Sequence, residues 1–337
     1  MKRYDVYALG NALVDLEYQV DEAFLQRMEL HKGLMRLMDE TQRLHLLAAL
    51  HNDYTLIKRC SGGSAANSAY TVAGMGGRAF YSCRVADDEA GGFYLQDLRQ
   101  AGIDCNPGTQ RPTGHTGTCI VLITEDAERT MQTHLGITAE VSPEDLNPEA
   151  LAQSRWLYLE GYLAPSASAR AAVSNARQLA KTHHIPVALS CSDPSMVRFF
   201  REEFLSLLEH NVDLLFCNEE EGLLLSQCST VEAALEALSQ WAPEVVMTRG
   251  AEGAIIAHQG VQERIPAFVV SPVDTNGAGD SFAGAYLYGK THGMTCYDAG
   301  ILASRTSAEV VTQFGARLPY ARYPEILREH QTCKSTG

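Results

Sequence analysis

Short runs of Val, Ile, Leu and Tyr alternate with longer Ala-rich stretches along most of the chain, and this rhythm leaves few ways to fold. Strands that are apolar on both faces need cover on both, and helices with one apolar stripe supply it. The rhythm therefore predicts an α/β domain in which a mostly parallel sheet lies between two helical layers, three layers in all. The strand candidates are residues 6–10, 55–59, 79–85, 156–160, 187–190, 214–217 and 245–248. In residues 87–102 and 167–182 apolar positions recur at intervals of three and four, as a helix with one buried face requires. Ser142-Pro143-Glu144-Asp145 has the order of an N-cap, a Pro at the first helical position and acidic residues in the first turn. Residues 254–258 and 261–265, split by Gln259-Gly260, predict an antiparallel hairpin at the sheet edge.

Two pairs of segments break the rhythm. Residues 13–20 with 34–38, and 116–124 with 129–135, alternate like exposed strands, the second pair being joined by a turn at 125–128. These strands, within 12–38 and 113–136, predict a small sheet projecting from a single domain that spans residues 1–330. A sheet with so little core of its own is expected to cover a site on the larger body.

The chain has 41 acidic and 27 basic residues, a formal charge of -14. A field of that sign repels nucleic-acid backbones, so no nucleic acid is expected as partner; an anionic substrate would be met by a local device such as backbone N–H groups. No apolar run approaches the roughly 20 residues that cross a bilayer. The first residues lack the apolar core of a signal peptide, and a cytoplasmic protein without membrane contact is expected. The nine cysteines (Cys60, Cys83, Cys105, Cys119, Cys191, Cys217, Cys228, Cys296 and Cys333) form no CxxC pair, and the eleven histidines no HExxH, which speaks against zinc and redox centres. Monomer and homodimer both stay open.

Three glycine-containing motifs invite a phosphate. Residues 284–291, ending in Gly289-Lys290-Thr291, satisfy the P-loop pattern, but 281–288 is itself helix-like, with Gly289 as the expected stop. A phosphate loop must instead lead from a strand into a helix. Gly74-Met75-Gly76-Gly77-Arg78-Ala79 resembles a dinucleotide fingerprint in the wrong order, after a helix-like run at 64–73 and before a strand. Asp274-Thr275-Asn276-Gly277-Ala278-Gly279-Asp280 follows an extended run at 268–273 and leads straight into a helix. Its small residues let successive N–H groups converge on an anion at the positive end of the helix dipole. Beyond N-capping, a carboxylate at Asp280 has no structural need to be there. Beside a phosphoryl group it can take a proton from an attacking hydroxyl.

This heptapeptide resembles the signature of the ribokinase family, the PfkB carbohydrate kinases, whose members phosphorylate hydroxymethyl groups of sugars and nucleosides with ATP. Further marks run from Tyr4 to Pro319 in the family's order. The resemblance implies a ribokinase-like fold, with the projecting strands as its lid. It implies that Gly62, Gly63 and Asn67 hold the acceptor, together with Asn11 and with Asp15, which would accept hydrogen bonds from vicinal hydroxyls. Asn218 and Glu221, an NxxE motif, would arrange Mg²⁺ and phosphate through water. Thr248, Arg249, Gly250 and Gly253 match a TxGxxG stretch near the nucleotide, and Gly315 the glycine near adenine. K⁺ or another monovalent cation would sit near Asp274 and the carbonyl of Thr275.

Phosphoryl transfer asks a protein for in-line positioning, neutralised oxygens and a way to remove one proton. Asp280 is the expected base, and the N–H groups of Gly277, Ala278, Gly279 and Asp280 the anion hole. A ligand sensor that has lost catalysis is the non-enzymatic alternative, which ATP, Mg²⁺ and an acceptor panel would separate by ADP release. Residues 10–15, Asn276, Thr116-Gly117-Thr118-Cys119 and 212–216 look closer to adenosine kinases than to ribokinase. The expected acceptor is therefore the 5′-hydroxyl of adenosine, with a ribokinase- or fructokinase-like sugar kinase as alternative. Glu160 stands where sugar kinases carry a carboxylate; it is expected either to touch substrate or to pair with a basic group. Tyr162 or Leu163 would offer an apolar face to a base, with Tyr162 able to stack.

Overall fold

The structure, a computed structural model, describes residues 2–33, 35–106, 111–126, 128–208 and 212–335. Leu34 and Ala127, placed above in a strand and a turn, lie outside the described residues, as does the side chain of Cys333. The first eight strands are β1 (Tyr4–Leu9), β2 (Leu13–Gln19), β3 (Met35–Leu37), β4 (Leu56–Gly62), β5 (Ala79–Ser82), β6 (Asp104–Cys105), β7 (Gly117–Ile123) and β8 (Arg129–His134). They are followed by β9 (Ser154–Glu160), β10 (Val187–Ser190), β11 (Leu214–Asn218), β12 (Glu244–Thr248), β13 (Ala254–His258) and β14 (Val261–Ile265).

Nine of these make the main sheet, in the order β14-β13-β12-β11-β10-β9-β1-β5-β6. It is parallel from β6 to β12, and the hairpin β13–β14 adds an antiparallel edge. Alternation along each central strand feeds two separate cores. Val6, Ala8, Tyr158, Ala188, Leu214 and Phe216 pack into one layer, while Tyr7, Leu9, Leu157, Leu159, Leu189 and Leu215 pack into the other. Strands buried on both faces need near-continuous apolar sequence, which is what made them legible.

The smaller sheet runs β3-β8-β7-β2-β4. Its fifth strand, β4, is a correction: residues 55–59 were expected in the main sheet, yet β4 pairs antiparallel with β2. Lys58 is exposed and Arg59 only partly covered, a polarity that a doubly covered strand could not bear. This sheet also has more core than expected. The helices Glu22–Arg27 and Glu40–Asp53 lie on one face, where Phe24, Leu25, Leu46 and Leu50 pack with Tyr18, Ile120 and Leu122. The opposite face carries a small patch of Cys119, Val121, Ile123 and Met131.

The helix Ala278–Thr291 does not stop at Gly289. It runs on to a C-cap at His292, followed by Gly293 in the left-handed region, because Gly289 lies against Ala299 of the next helix, Cys296–Val310. Among the described residues no helix is long and apolar enough to cross a membrane.

Candidate active site

In a parallel sheet all strands end on the same side, and the helices that follow begin there, so ligands collect at that edge. β1 delivers Asn11 to it, β9 Glu160, β11 Asn218 and β12 Thr248. The helices Ser64–Gly74, Glu219–Ser226 and Ala278–Thr291 bring their N-termini to the same region.

Asp280 sits in the first turn of its helix, not at the cap. The cap is Gly277, at φ 76°, where a side chain would be strained and would collide with Ala316. Ser281 N–H donates to the Gly277 carbonyl at 2.8 Å, which starts the helical ladder. The amides of Gly279 and Asp280 lie before it and have no carbonyl four residues back within the helix. Ala278 N–H makes only a 3.3 Å bond to the Thr275 carbonyl. A turn of unspent donors is thus presented at a helix N-terminus.

The Asp280 carboxylate is held from the helix Ser64–Gly74. Ser64 Oγ donates to Oδ1 at 2.6 Å and Asn67 Nδ2 to Oδ2 at 2.9 Å. Asn67 is itself fixed, its Oδ1 accepting from Arg317 Nε at 2.8 Å. Arg317 also donates to Ser61 Oγ at 2.7 Å, lies 3.4 Å from Asp97 and stacks over Tyr70 at 4.7 Å. Burial pushes the Asp280 carboxyl above its ordinary range; the Ser64 and Asn67 hydrogen bonds and the Arg317 charge pull the other way without cancelling it. A carboxylate made more basic, yet still held by two donors, suits proton abstraction.

Asp15 comes from β2, opposite Cys60 on β4 and Cys119 on β7. Its carboxylate lies against Gly62, where a Cβ would occupy the same space. Among the described residues nothing donates a hydrogen bond to it. Burial pushes it up to about 7, with Arg317 drawing it down and Glu17 raising it further. An acceptor without donors is suited to hydroxyls arriving from outside.

Glu160 does something neither expectation described. One oxygen accepts from Asn11 N–H at 2.7 Å and the other from Ala65 N–H at 2.8 Å, so the side chain ties the turn after β1 to the helix Ser64–Gly74. Among the described residues no basic group pairs with it. Burial raises it to about 7 despite those two bonds. Asn11 Nδ2 reaches the Tyr162 carbonyl at 3.3 Å, and the Tyr81 hydroxyl donates to the Asn11 carbonyl at 2.9 Å. Tyr162 is half-buried, and burial with nearby carboxylates keeps its hydroxyl protonated.

Asn218 and Glu221 form a reciprocal capping box. Glu221 N–H donates to Asn218 Oδ1 at 2.8 Å and Asn218 N–H to Glu221 Oε2 at 2.7 Å. The NxxE spacing therefore has a structural reason of its own. Burial lifts Glu221 to about 7, and Asp193, Glu220 and Asp280 add to the rise. Carboxylates that repel one another make a place where a hard divalent cation would be stabilised.

The remaining nucleotide-side residues lie beyond β12. Thr248 Oγ1 is 3.5 Å from the Cys217 carbonyl, and Arg249 N–H donates to the Gly253 carbonyl at 2.7 Å across a tight turn through Gly250. The Arg249 guanidinium is clamped between Glu219 (2.6 Å) and Glu252 (2.7 Å). Gly315 N–H donates to Asp274 Oδ2 at 2.8 Å; Asp274 Oδ1 accepts from Asn276 N–H at 3.0 Å, and Arg129 Nη2 lies 2.7 Å from Oδ2.

Ser64, Asp97, Arg129, Asp193 and Arg317 escaped the sequence reading. Ser64 adjoins the glycine pair and could have been found there. Arg129 and Arg317 meet their partners across more than a hundred residues of chain, and no spacing marks them.

The profile of the pfkB family carbohydrate kinase matches residues 47–322. A probable sugar kinase protein from Rhizobium etli CFN 42 is 33% identical, with a TM-score of 0.90 over 98% of this chain and 99% of its own. The adenosine kinase from Sinorhizobium meliloti is 34% identical, with a TM-score of 0.88 over 97% and 99%. The adenosine kinase of Schizophyllum commune is 26% identical over 97% of this chain and 99% of its own. The architecture is accordingly the ribokinase-like α/β fold, and the small sheet belongs to it.

Proposed function

This chain belongs to the pfkB family of carbohydrate kinases, and we propose that within it the acceptor is a nucleoside, adenosine first, phosphorylated by ATP at the 5′-hydroxyl to give AMP and ADP. The observation that carries this reading is the inner face of the small sheet. Asp15 and Cys119 are opposite each other on β2 and β7, so Asp15 shares its face with the apolar patch of Cys119, Val121, Ile123 and Met131, the charged Glu17, Lys58 and Arg129 following further along that face. An acceptor carboxylate beside an apolar strip fits a ribose diol joined to a heterocyclic base better than a free sugar, whose whole rim is hydroxyl. Glu160 is compatible with it: each oxygen accepts a backbone N–H, which gives the carboxylate a structural reason apart from a sugar.

In this mechanism Asp280 takes the proton of the 5′-hydroxyl as its oxygen attacks the γ-phosphorus, and the bond to the β,γ-bridging oxygen breaks. The first-turn N–H groups receive the charge gathering on the equatorial oxygens. Mg²⁺ arriving with ATP would neutralise the phosphate chain; the oxygen donors of Asn218 and Glu221 suit its water shell. The lid sheet excludes water that would otherwise take the phosphoryl group.

The test is kcat/KM for adenosine, other nucleosides, ribose and fructose with ATP and Mg²⁺. Adenosine is expected to lead. A free sugar preferred by more than about tenfold would sink the nucleoside assignment and favour the second reading, a sugar kinase, which the likeness to the Rhizobium etli protein supports.

A further inference from the structure

We propose that Arg129 of the lid is this chain's built-in replacement for a free monovalent cation, so that turnover requires no K⁺. The carboxylate that would ligate such a cation, Asp274, is buried, accepts one backbone N–H on each oxygen and has the Arg129 charge beside it as an ion pair, none of the three guanidinium nitrogens making a hydrogen bond among the described residues. Oδ1 accepts from Asn276 N–H, while Oδ2 accepts from Gly315 N–H and lies 2.7 Å from Arg129 Nη2. The donor set does not fit an additional cation. A K⁺ ion would have to displace a guanidinium that is itself buried, and an uncompensated buried charge is costly.

The surrounding charges point the same way. Glu17 Oε1 is 3.9 Å from Arg129 Nη1, and Glu17 faces Lys58 across β2 and β4. The Lys58 ammonium and Glu17 Oε1 both reach the space over Gly315, whose amide holds Asp274. Glu17, Lys58, Asp274 and Arg129 thus meet around one glycine, with Asp15 and Arg317 in the same field, and the cationic place beside Asp274 is taken by Arg129. The Phe314 ring lies 5.8 Å from the Arg129 guanidinium and closes its other side.

The replacement differs from a free ion in one respect. Arg129 begins β8, opposite Ile123 of β7, whereas Asp274 begins the loop that ends in the anion hole. The charge that settles this loop therefore moves with the lid. Lid withdrawal would leave Asp274 with its two backbone donors but without its cation, and lid closure would restore it, which links water exclusion to the shape of the anion hole. Arg129 acts here as a positioning residue, through Asp274.

The inference rests on phosphoryl transfer and not on which acceptor is correct, so any acceptor turned over in the panel serves. With K⁺ and Na⁺ exchanged for tetramethylammonium at constant ionic strength, the full chain is expected to keep kcat within about twofold and to show no thermal stabilisation on adding K⁺. Arg129→Met keeps length and loses charge; it is expected to lose about tenfold or more in kcat, to regain several-fold of that with K⁺, and to gain a K⁺-dependent rise in Tm. Stimulation of the unaltered chain by K⁺ of more than about fivefold overturns the proposal, as does an Arg129→Met variant whose kcat and Tm ignore K⁺. Should Arg129→Met not fold, the experiment on the unaltered chain decides, with Arg129→Lys expected to stay indifferent to K⁺.

Discussion

Asp280 has two reasons to be a carboxylate and only one to be negative. Asparagine would occupy the same volume and could still accept a hydrogen bond from Ser64, but its amide would face the Asn67 amide and could not take a proton. Asp280→Asn is therefore expected to fold with little change in Tm while kcat falls by about 10²- to 10⁴-fold, the usual worth of a general base. A variant with near-normal kcat would remove Asp280 from the mechanism. Asp15 allows a pH test that does not touch chemistry. Its carboxyl is raised to about 7, so it is neutral below that pH and charged above it; the charged form is the better acceptor for a diol. KM for the acceptor is expected to rise as pH falls through about 7, with less change in kcat. Asp15→Asn should flatten that dependence and leave a uniformly high KM. A profile for Asp15→Asn as steep as that of the unaltered chain would assign the titration to another group, Glu160 and Glu221 being raised to a similar value.

At the scale of single elements, the capping box of Asn218 and Glu221 shows how a functional motif and a local fold rule share residues. Loss of an N-cap costs about 0.5–2 kcal/mol, so Asn218→Ala is expected to lower stability by that amount. Ser caps nearly as well as Asn, so Asn218→Ser should keep the stability. If Asn218 also arranges Mg²⁺, both variants will need more Mg²⁺ for half-maximal rate; a normal Mg²⁺ dependence for Asn218→Ser would leave the motif as a cap alone. The same sharing decided what the sequence could reveal. β10, β13, β14 and the helix Ala167–Thr182 were legible to the residue, since burial pattern and turn chemistry agree there. β4 was misplaced because a short apolar start, Leu56-Ile57, resembles a core strand until the Lys and Arg that follow are weighed. The helices Glu22–Arg27 and Glu40–Asp53 went unread, the second having apolar residues scattered around its circumference. At the site, glycines and caps announced themselves through local geometry. Arg129 and Arg317 did not, because a buried cation is specified by carboxylates and amides that only the tertiary fold brings near.

Across the whole molecule, the two ends of the sheet are given to different tasks. The C-terminal edge gathers carboxylates raised by burial, Asp15, Glu160, Glu221 and Asp280, each held for a ligand or by backbone donors. The opposite edge has a closed polar knot. Glu244, at the start of β12, accepts from the Tyr286 hydroxyl at 2.5 Å and from Lys290 Nζ at 2.8 Å, with His258 at 3.4 Å and Cys296 Sγ 3.3 Å from the same ammonium. Lys290 is twelve residues past Ala278, so roughly 18 Å of helix separates it from the anion-hole turn. That distance is what defeats the P-loop pattern in which Lys290 stands: its charge is spent on Glu244 and cannot reach a phosphate at the other end. Lys290→Ala is accordingly expected to strand the buried Glu244 and lower stability by about 1–3 kcal/mol, less than a fully buried pair because Lys290 is partly exposed. Measured well below its Tm, the variant should keep kcat within about twofold, since nothing at the C-terminal edge has changed. If Lys290→Ala abolishes ATP turnover while Asp280→Asn does not, the nucleotide binds at the Lys290 end of the helix and not at the anion-hole turn.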